Sequence, residues 1–191
     1  RVKRIIFVPQ YPTPLRYQEW WYTEFPKQFR EAGYEVHVLG DKALKNIQGG
    51  LESPGMFSPI DAAIEFEAEQ IKEYMEMDIK VDDILFVADI SFPGFFPSVL
   101  FHKRPKKAFA YCHATSINKF DYFEDVKDGK YMYEQGYSRM FDTIFVGSNY
   151  HFFKLQWDNI NVVRLPFPPI SLTRYANLVH NKSIRREYDQ I

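Results

Sequence analysis

His113 stands in the run AYCHATSIN, directly after an apolar stretch and directly before Thr115, Ser116 and Asn118. A histidine so placed can hold a substrate hydroxyl or act as a general base, because its ring both donates and accepts near neutral pH. The competing reading is a histidine that hydrogen-bonds its own loop backbone. Asp89 ends another apolar stretch, ILFVAD. It can bind a ligand hydroxyl, orient His113 or cap its loop. Gln10, Tyr11 and Thr13 follow a third stretch, and Ser148 and Asn149 a fourth. Hydroxyls, amides and aromatic faces together suit a polyhydroxylated or ring-shaped ligand.

The Ser148-Asn149 pair also suits the start of a helix, and capping and ligand contact are compatible there. His37 reads as packed or superficial, and His102, His151 and His180 lack a partner pattern. No histidine or carboxylate pair has metal-ligand spacing, so neither a protein-bound metal nor a cofactor is expected. Asp82 and Asp83 precede their strand and read as solvated.

These residues need elements to position them. Short apolar runs at 2–8, 35–39, 83–87, 107–112, 143–146 and 161–165 read as strands. Helical periodicity runs over 17–32, from Ser58-Pro59 through Tyr74, over 128–141 and from Asn149 to 157, with a short candidate at 95–102. Gly33 suits the position after the first helix, and Pro26 predicts a kink or break within it. Strands alternating with helices imply a parallel sheet wrapped on both faces. In such a sheet ligands bind beyond the carboxyl ends of the strands. Gln10, Tyr11, Thr13, Asp41, Asp89, Ser91, Phe92, His113, Thr115, Ser116, Asn118, Ser148, Asn149 and Tyr150 all fall there.

The bulk numbers narrow the class. The 191 residues suffice for one α/β domain with a tail, and 46% hydrophobic content supports a core. Aromatics at 18% make an aromatic-lined cleft plausible. A net charge of -1 gives no strong signal for nucleic acid or an anionic membrane. The one cysteine, Cys112, reads as a packed thiol; it excludes an internal disulfide and fits a reducing compartment. No membrane span or signal peptide is visible, so a cytoplasmic location is expected. The first turn, PQYPTP, has prolines where a dinucleotide site has GxGxxG, and neither a P-loop nor a GxSxG elbow occurs. That turn reads as a stiff lip presenting Gln10 and Tyr11.

The order of several motifs resembles a known family. RIIFVPQYP, FREAGYEVHVLG, DDILFVADISFPG, KKAFAYCHATSIN, FDTIFVGSNYHFFKL and NINVVRLPFPP are similar to the N-terminal half of GT-B glycosyltransferases, nearest the retaining family-4-like group. The resemblance covers residues 1–169 and implies a Rossmann-like, acceptor-side domain, one half of a GT-B architecture. Residues 170–191 are expected to be a linker or peripheral helix leading to a C-terminal domain missing from this sequence. That domain would carry most of the nucleotide-sugar site, so the fragment alone would be inactive. The resemblance implies a hexosyltransferase-type enzyme, with a nucleotide-sugar donor and an unknown acceptor. It also implies that His113 faces the reacting sugar. The alternative is a non-catalytic, flavodoxin-like binding or regulatory module using the same strand ends.

Overall fold

The computed structural model describes residues 2–13, 16–44, 60–90, 103–116, 118–119, 124–155 and 161–165. The elements are β1 (Arg4–Val8), α1 (Tyr17–Glu31), β2 (Glu35–Val38), α2 (Ile60–Glu76), β3 (Ile84–Val87), β4 (Lys107–Cys112), a 3-10 turn (Glu124–Val126), α3 (Lys127–Ser138), β5 (Thr143–Val146), α4 (Asn149–Lys154) and β6 (Val162–Arg164). The expected helix at 95–102 and the segment 170–191 lie outside the described residues.

All six strands are parallel, in the order β2-β1-β3-β4-β5-β6. This is an α/β, Rossmann-like sheet. From β1 the chain steps one way to β2, returns across β1 to β3, and then continues in that direction. Right-handed crossovers in opposite directions put their helices on opposite faces. Accordingly α1 lies on one face, with Trp21 and Phe25 against Ile5, Phe7, Phe86 and Tyr111. On the other face α2, α3 and the end of α4 bring Tyr74, Tyr137 and Leu155 against Ile6, Leu85, Ala110 and Ile144. Alternate strand residues thus serve different helices, which is why the runs are apolar throughout.

Many of the aromatics occupy the core beneath α1. Phe7 and Phe25 have ring centroids 5.8 Å apart, Phe25 and Phe86 5.2 Å, and Trp21 and Tyr111 4.9 Å. Rings are tilted or edge-on, as their quadrupoles favour. This packing explains why α1 continues through Pro26 rather than breaking: burial of Trp21 and Phe25 on the same helix offsets the lost backbone bond. Gly33 ends α1 at φ +90, with its N–H on the Arg30 carbonyl and the Tyr34 N–H on that of Phe29. These two bonds cap the last turn as a left-handed C′ residue allows.

Asp83 corrects the expectation of a solvated pair. It is 4% exposed, and its carboxylate accepts from Arg4 Nε at 3.1 Å and from the Lys80 N–H at 2.8 Å. Arg4 also donates to the Asp78 carbonyl at 2.8 Å. The pair ties the start of β1 to the entry of β3, at the edge opposite the candidate site. Cys112 is fully buried, and burial pushes its thiol far up, away from nucleophilic use. No helix among the described residues is long and apolar enough to cross a membrane.

Candidate functional site

The strand order reverses between β1 and β3, so the crevice favoured for ligands opens where these strands end. Gln10 follows β1 and Asp89 follows β3. Gln10 Nε2 donates to Asp89 Oδ2 at 3.3 Å, and the Tyr17 hydroxyl, from the first turn of α1, donates to the same oxygen at 3.1 Å. The backbone N–H of His113, just past β4, reaches Asp89 Oδ1 at 3.5 Å. Asp89, 2% exposed, is therefore a buried acceptor that gathers the ends of β1, β3 and β4.

The His113 ring is clamped. It stacks on Tyr17 with centroids 4.0 Å apart and planes 19° apart, and meets Trp21 edge-on at 5.6 Å. Burial, helped by the positive charge of Arg16, lowers its pKa to about 4. At neutral pH it is an uncharged, oriented imidazole. Such a ring is suited to exchanging hydrogen bonds with a hydroxyl and is a weak base.

The first turn differs from the lip expected of it. Residues 9–13 are all buried. Tyr11 turns away from Asp89 and packs edge-on against Phe66 of α2, with centroids 5.9 Å apart, beside Ala62 and Ala63. Thr13 is 1% exposed and closes the turn, its N–H on the Tyr11 carbonyl at 2.8 Å. Prolines leave carbonyls without matching N–H groups nearby. Gln70 of α2 answers this, its Nε2 donating to the carbonyls of Pro9 at 2.8 Å and Leu39 at 3.1 Å. Asp41, after β2, accepts from the Tyr22 hydroxyl, apart from the His113 group. Ser91 and Phe92 lie outside the described residues.

Beyond His113 the loop divides its duties. Thr115 and Ser116 are each 1% exposed. Ser116 is held from below: Glu134 of α3, fully buried, accepts from its N–H at 3.1 Å and its hydroxyl at 2.9 Å, and Lys130 pairs with the same carboxylate at 3.3 Å. Burial raises the Glu134 pKa, while Lys130 and the Ser116 bonds oppose that rise. Asn118 faces the end of β5. Its Nδ2 lies 3.4 Å from His151 Nε2, and its Oδ1 accepts from Lys154 Nζ at 2.6 Å. Ser148 caps α4, accepting from the His151 N–H at 3.2 Å, and also contacts His151 Nδ1 at 3.2 Å. Asn149 accepts from Arg164 at 3.2 Å.

Two adjoining groups result, one around Asp89 and one around His151. His151 lies near His113, and its pKa is lowered, chiefly by burial and further by its cationic neighbour Lys154 and its proximity to His113. Tyr17, Trp21, Glu134, His151 and Lys154 escaped the sequence reading. A local signal existed for His151, which is three places after a capping serine. Glu134 has none, since its partner lies on a different element. Among the described residues no three His, Cys, Asp or Glu side chains gather as metal ligands. Cavities of about 360 Å³ beside Lys42, Glu69 and Lys72, and about 520 Å³ beside Asp78, Lys80 and Arg104, lie away from these groups. No family model matches the chain, and no curated protein matches it.

Proposed function

We propose that this domain is the acceptor-side, N-terminal half of a GT-B glycosyltransferase that moves a sugar from a nucleotide-sugar donor to an acceptor. The observation that carries the reading is the clamped, uncharged His113 beside Asp89 at the switch point of the sheet. A neutral imidazole there can donate to or accept from a sugar hydroxyl without competing for its proton. Gln10, Tyr17 and Asp89 fix the ring and its loop, and Asn118, Ser148 and Asn149 extend the polar rim. Stabilisation of the departing diphosphate would come from a further domain, where fixed cationic donors act on developing charge.

The test is transfer and donor hydrolysis by the full-length protein across a panel of nucleotide sugars. His113→Ala should lower turnover by about a hundredfold, the usual scale for losing one oriented donor. His113→Asn, which keeps a donor, should recover part of it. Turnover unchanged in both variants would remove the role. A second reading is favoured by the strand order, whose β2-β1-β3-β4-β5 core is that of flavodoxin-like sheets. On that reading the same edge binds a ligand without chemistry, and the full-length protein would bind a nucleotide sugar or other ring ligand without consuming it.

A further inference from the structure

The chain after β4 hangs from two buried carboxylates that come from different elements. At its start the His113 N–H reaches Asp89 Oδ1 at 3.5 Å. Further on, the Ser116 N–H lies 3.2 and 3.1 Å from the two carboxylate oxygens of Glu134 in α3, and the Ser116 hydroxyl donates to Oε2 at 2.9 Å. Asp89 is 2% exposed and Glu134 0%. The Asn118 N–H then turns back to the Thr115 carbonyl at 3.0 Å, and the Asn118 side chain meets His151 and Lys154. Ser116 thus stands between the His113 group and the His151 group, and α3 supports it.

The described partners of the Glu134 carboxylate all donate: the Ser116 N–H, the Ser116 hydroxyl and Lys130 Nζ, the last at 3.3 Å from Oε1. An ionised carboxylate is acceptor-only and answers all three. A buried ion pair seldom stabilises a fold more than packed apolar side chains of similar volume would. What this pair adds is a charged acceptor at a fixed place on α3, holding one main-chain N–H and one hydroxyl of the loop.

We infer that Glu134, paired with Lys130, is the positioning residue of this edge: through Ser116 it sets where His113 and Asn118 stand relative to each other. Fully buried, it acts through the loop and touches no ligand. The inference rests on the reading that the His113 edge binds a ligand.

The test uses the full-length protein well below its unfolding temperature. NMR follows the His113 ring and the Asn118 side-chain amide, denaturant unfolding gives stability, and steady-state kinetics measure transfer across the panel of nucleotide sugars. In Glu134→Leu both NMR signals should move. Glu134→Gln, which keeps one acceptor oxygen for the Ser116 N–H, should restore them part-way. Lys130→Met combined with Glu134→Leu leaves neither charge buried without its partner, so this double variant should regain stability over Glu134→Leu alone. Its His113 and Asn118 signals should nevertheless stay displaced, whereas a residue that only supported the fold would let them return. Ser116→Ala removes the hydroxyl and keeps the N–H; it should shift the Asn118 amide least, and it decides the matter should Glu134→Leu fail to fold. Glu134→Gln should lower kcat about tenfold with the donor KM within about twofold, the mark of misplacement rather than lost binding. Wild-type signals in both Glu134→Gln and Ser116→Ala, signals that return with stability in the double variant, or an unchanged kcat would overturn the inference. No transfer by the wild type, with the signals displaced as described, would count against the glycosyltransferase reading alone.

Discussion

Tyr17 and His113, from the first turn of α1 and the end of β4, stack with their rings 4.0 Å apart and 19° from parallel. The tyrosine excludes water from one face of the imidazole, and its hydroxyl is spent on Asp89. Burial is the main cause of the His113 pKa of about 4, against an ordinary 6.5. Opening that face should restore much of the difference. In Tyr17→Ala the His113 pKa is expected to rise toward 6.5, whereas in Tyr17→Phe it should stay near 4; histidine C–H NMR titration reads both.

The same shift has a signed effect on stability. The folded pKa lies below the unfolded one, so between about pH 4 and 6.5 the unfolded chain binds more protons. Stability from this site is fully present above pH 6.5 and is lost as pH falls toward 4, at no more than about 1.4 kcal/mol per unit. His113→Gln removes the titration. Denaturant unfolding of wild type and variant should therefore show wild type losing ground steadily from pH 6.5 to 4.5. A constant difference would mean that the imidazole is wet.

Arg4 and Asp83 predict a defect confined to the far edge. Their side chains are 21% and 5% exposed. Removing the carboxylate in Asp83→Ala leaves a half-buried guanidinium and the Lys80 N–H without their acceptor, at a cost of about 2–4 kcal/mol. Chemical denaturation should show that loss. The His113 and His151 resonances should not move, because the pair sits beyond the opposite ends of the strands.

What sequence alone revealed, and what it hid, follows the range of the interactions. β4 and β5 lie at 107–112 and 143–146, where apolar runs flanked by polar residues put them. The positions after β1, β3, β4 and β5 share one edge because the strands are parallel, and parallel strands were implied by strand–helix alternation. The clamp on His113 was not legible. Tyr17 reads as one more aromatic on a helix, and only the crossover from β1 to β2 carries it under the β4 loop. Asp83 was misjudged for a related reason: position relative to a strand indicates which edge it occupies, but its partner Arg4 is supplied by another strand. Pro26 shows local propensity overridden by the burial of its neighbours.

Glu67 gives a pH effect of the opposite sign. It lies on α2 near Lys130, Tyr133 and Tyr137 of α3, and burial lifts its pKa to about 7, with Lys130 pulling the other way. Here the folded chain binds more protons between pH 4.5 and 7, so stability is fully present below 4.5 and is lost as pH rises through 7. Glu67→Gln imitates the protonated form. It should match wild type near pH 4 and exceed it by about 1–2 kcal/mol at pH 8, after allowance for Lys130 and solvent. Equal stability at pH 8 would show that Lys130 fully compensates the buried charge.

Gly40 and Gly33 separate two reasons for a glycine. Both have positive φ, +84 and +90. At Gly33 an added Cβ meets nothing within 4 Å, so Gly33→Ala should cost only backbone strain, about 1 kcal/mol. At Gly40 the same atom falls 2.4 Å from the Phe66 ring and 2.9 Å from Gln70 Cγ. Phe66 supports Tyr11, and Gln70 holds the Pro9 and Leu39 carbonyls, so neither can retreat without loosening the first turn. The Gly40 N–H also donates to Glu73 at 2.8 Å, fixing the backbone there. Gly40→Ala should therefore cost about 3 kcal/mol or more, strain and overpacking together. Thermal and denaturant unfolding of the two variants side by side decides it: similar losses would mean that α2 can shift away from the end of β2, and that the buried first turn is not held by Phe66 and Gln70.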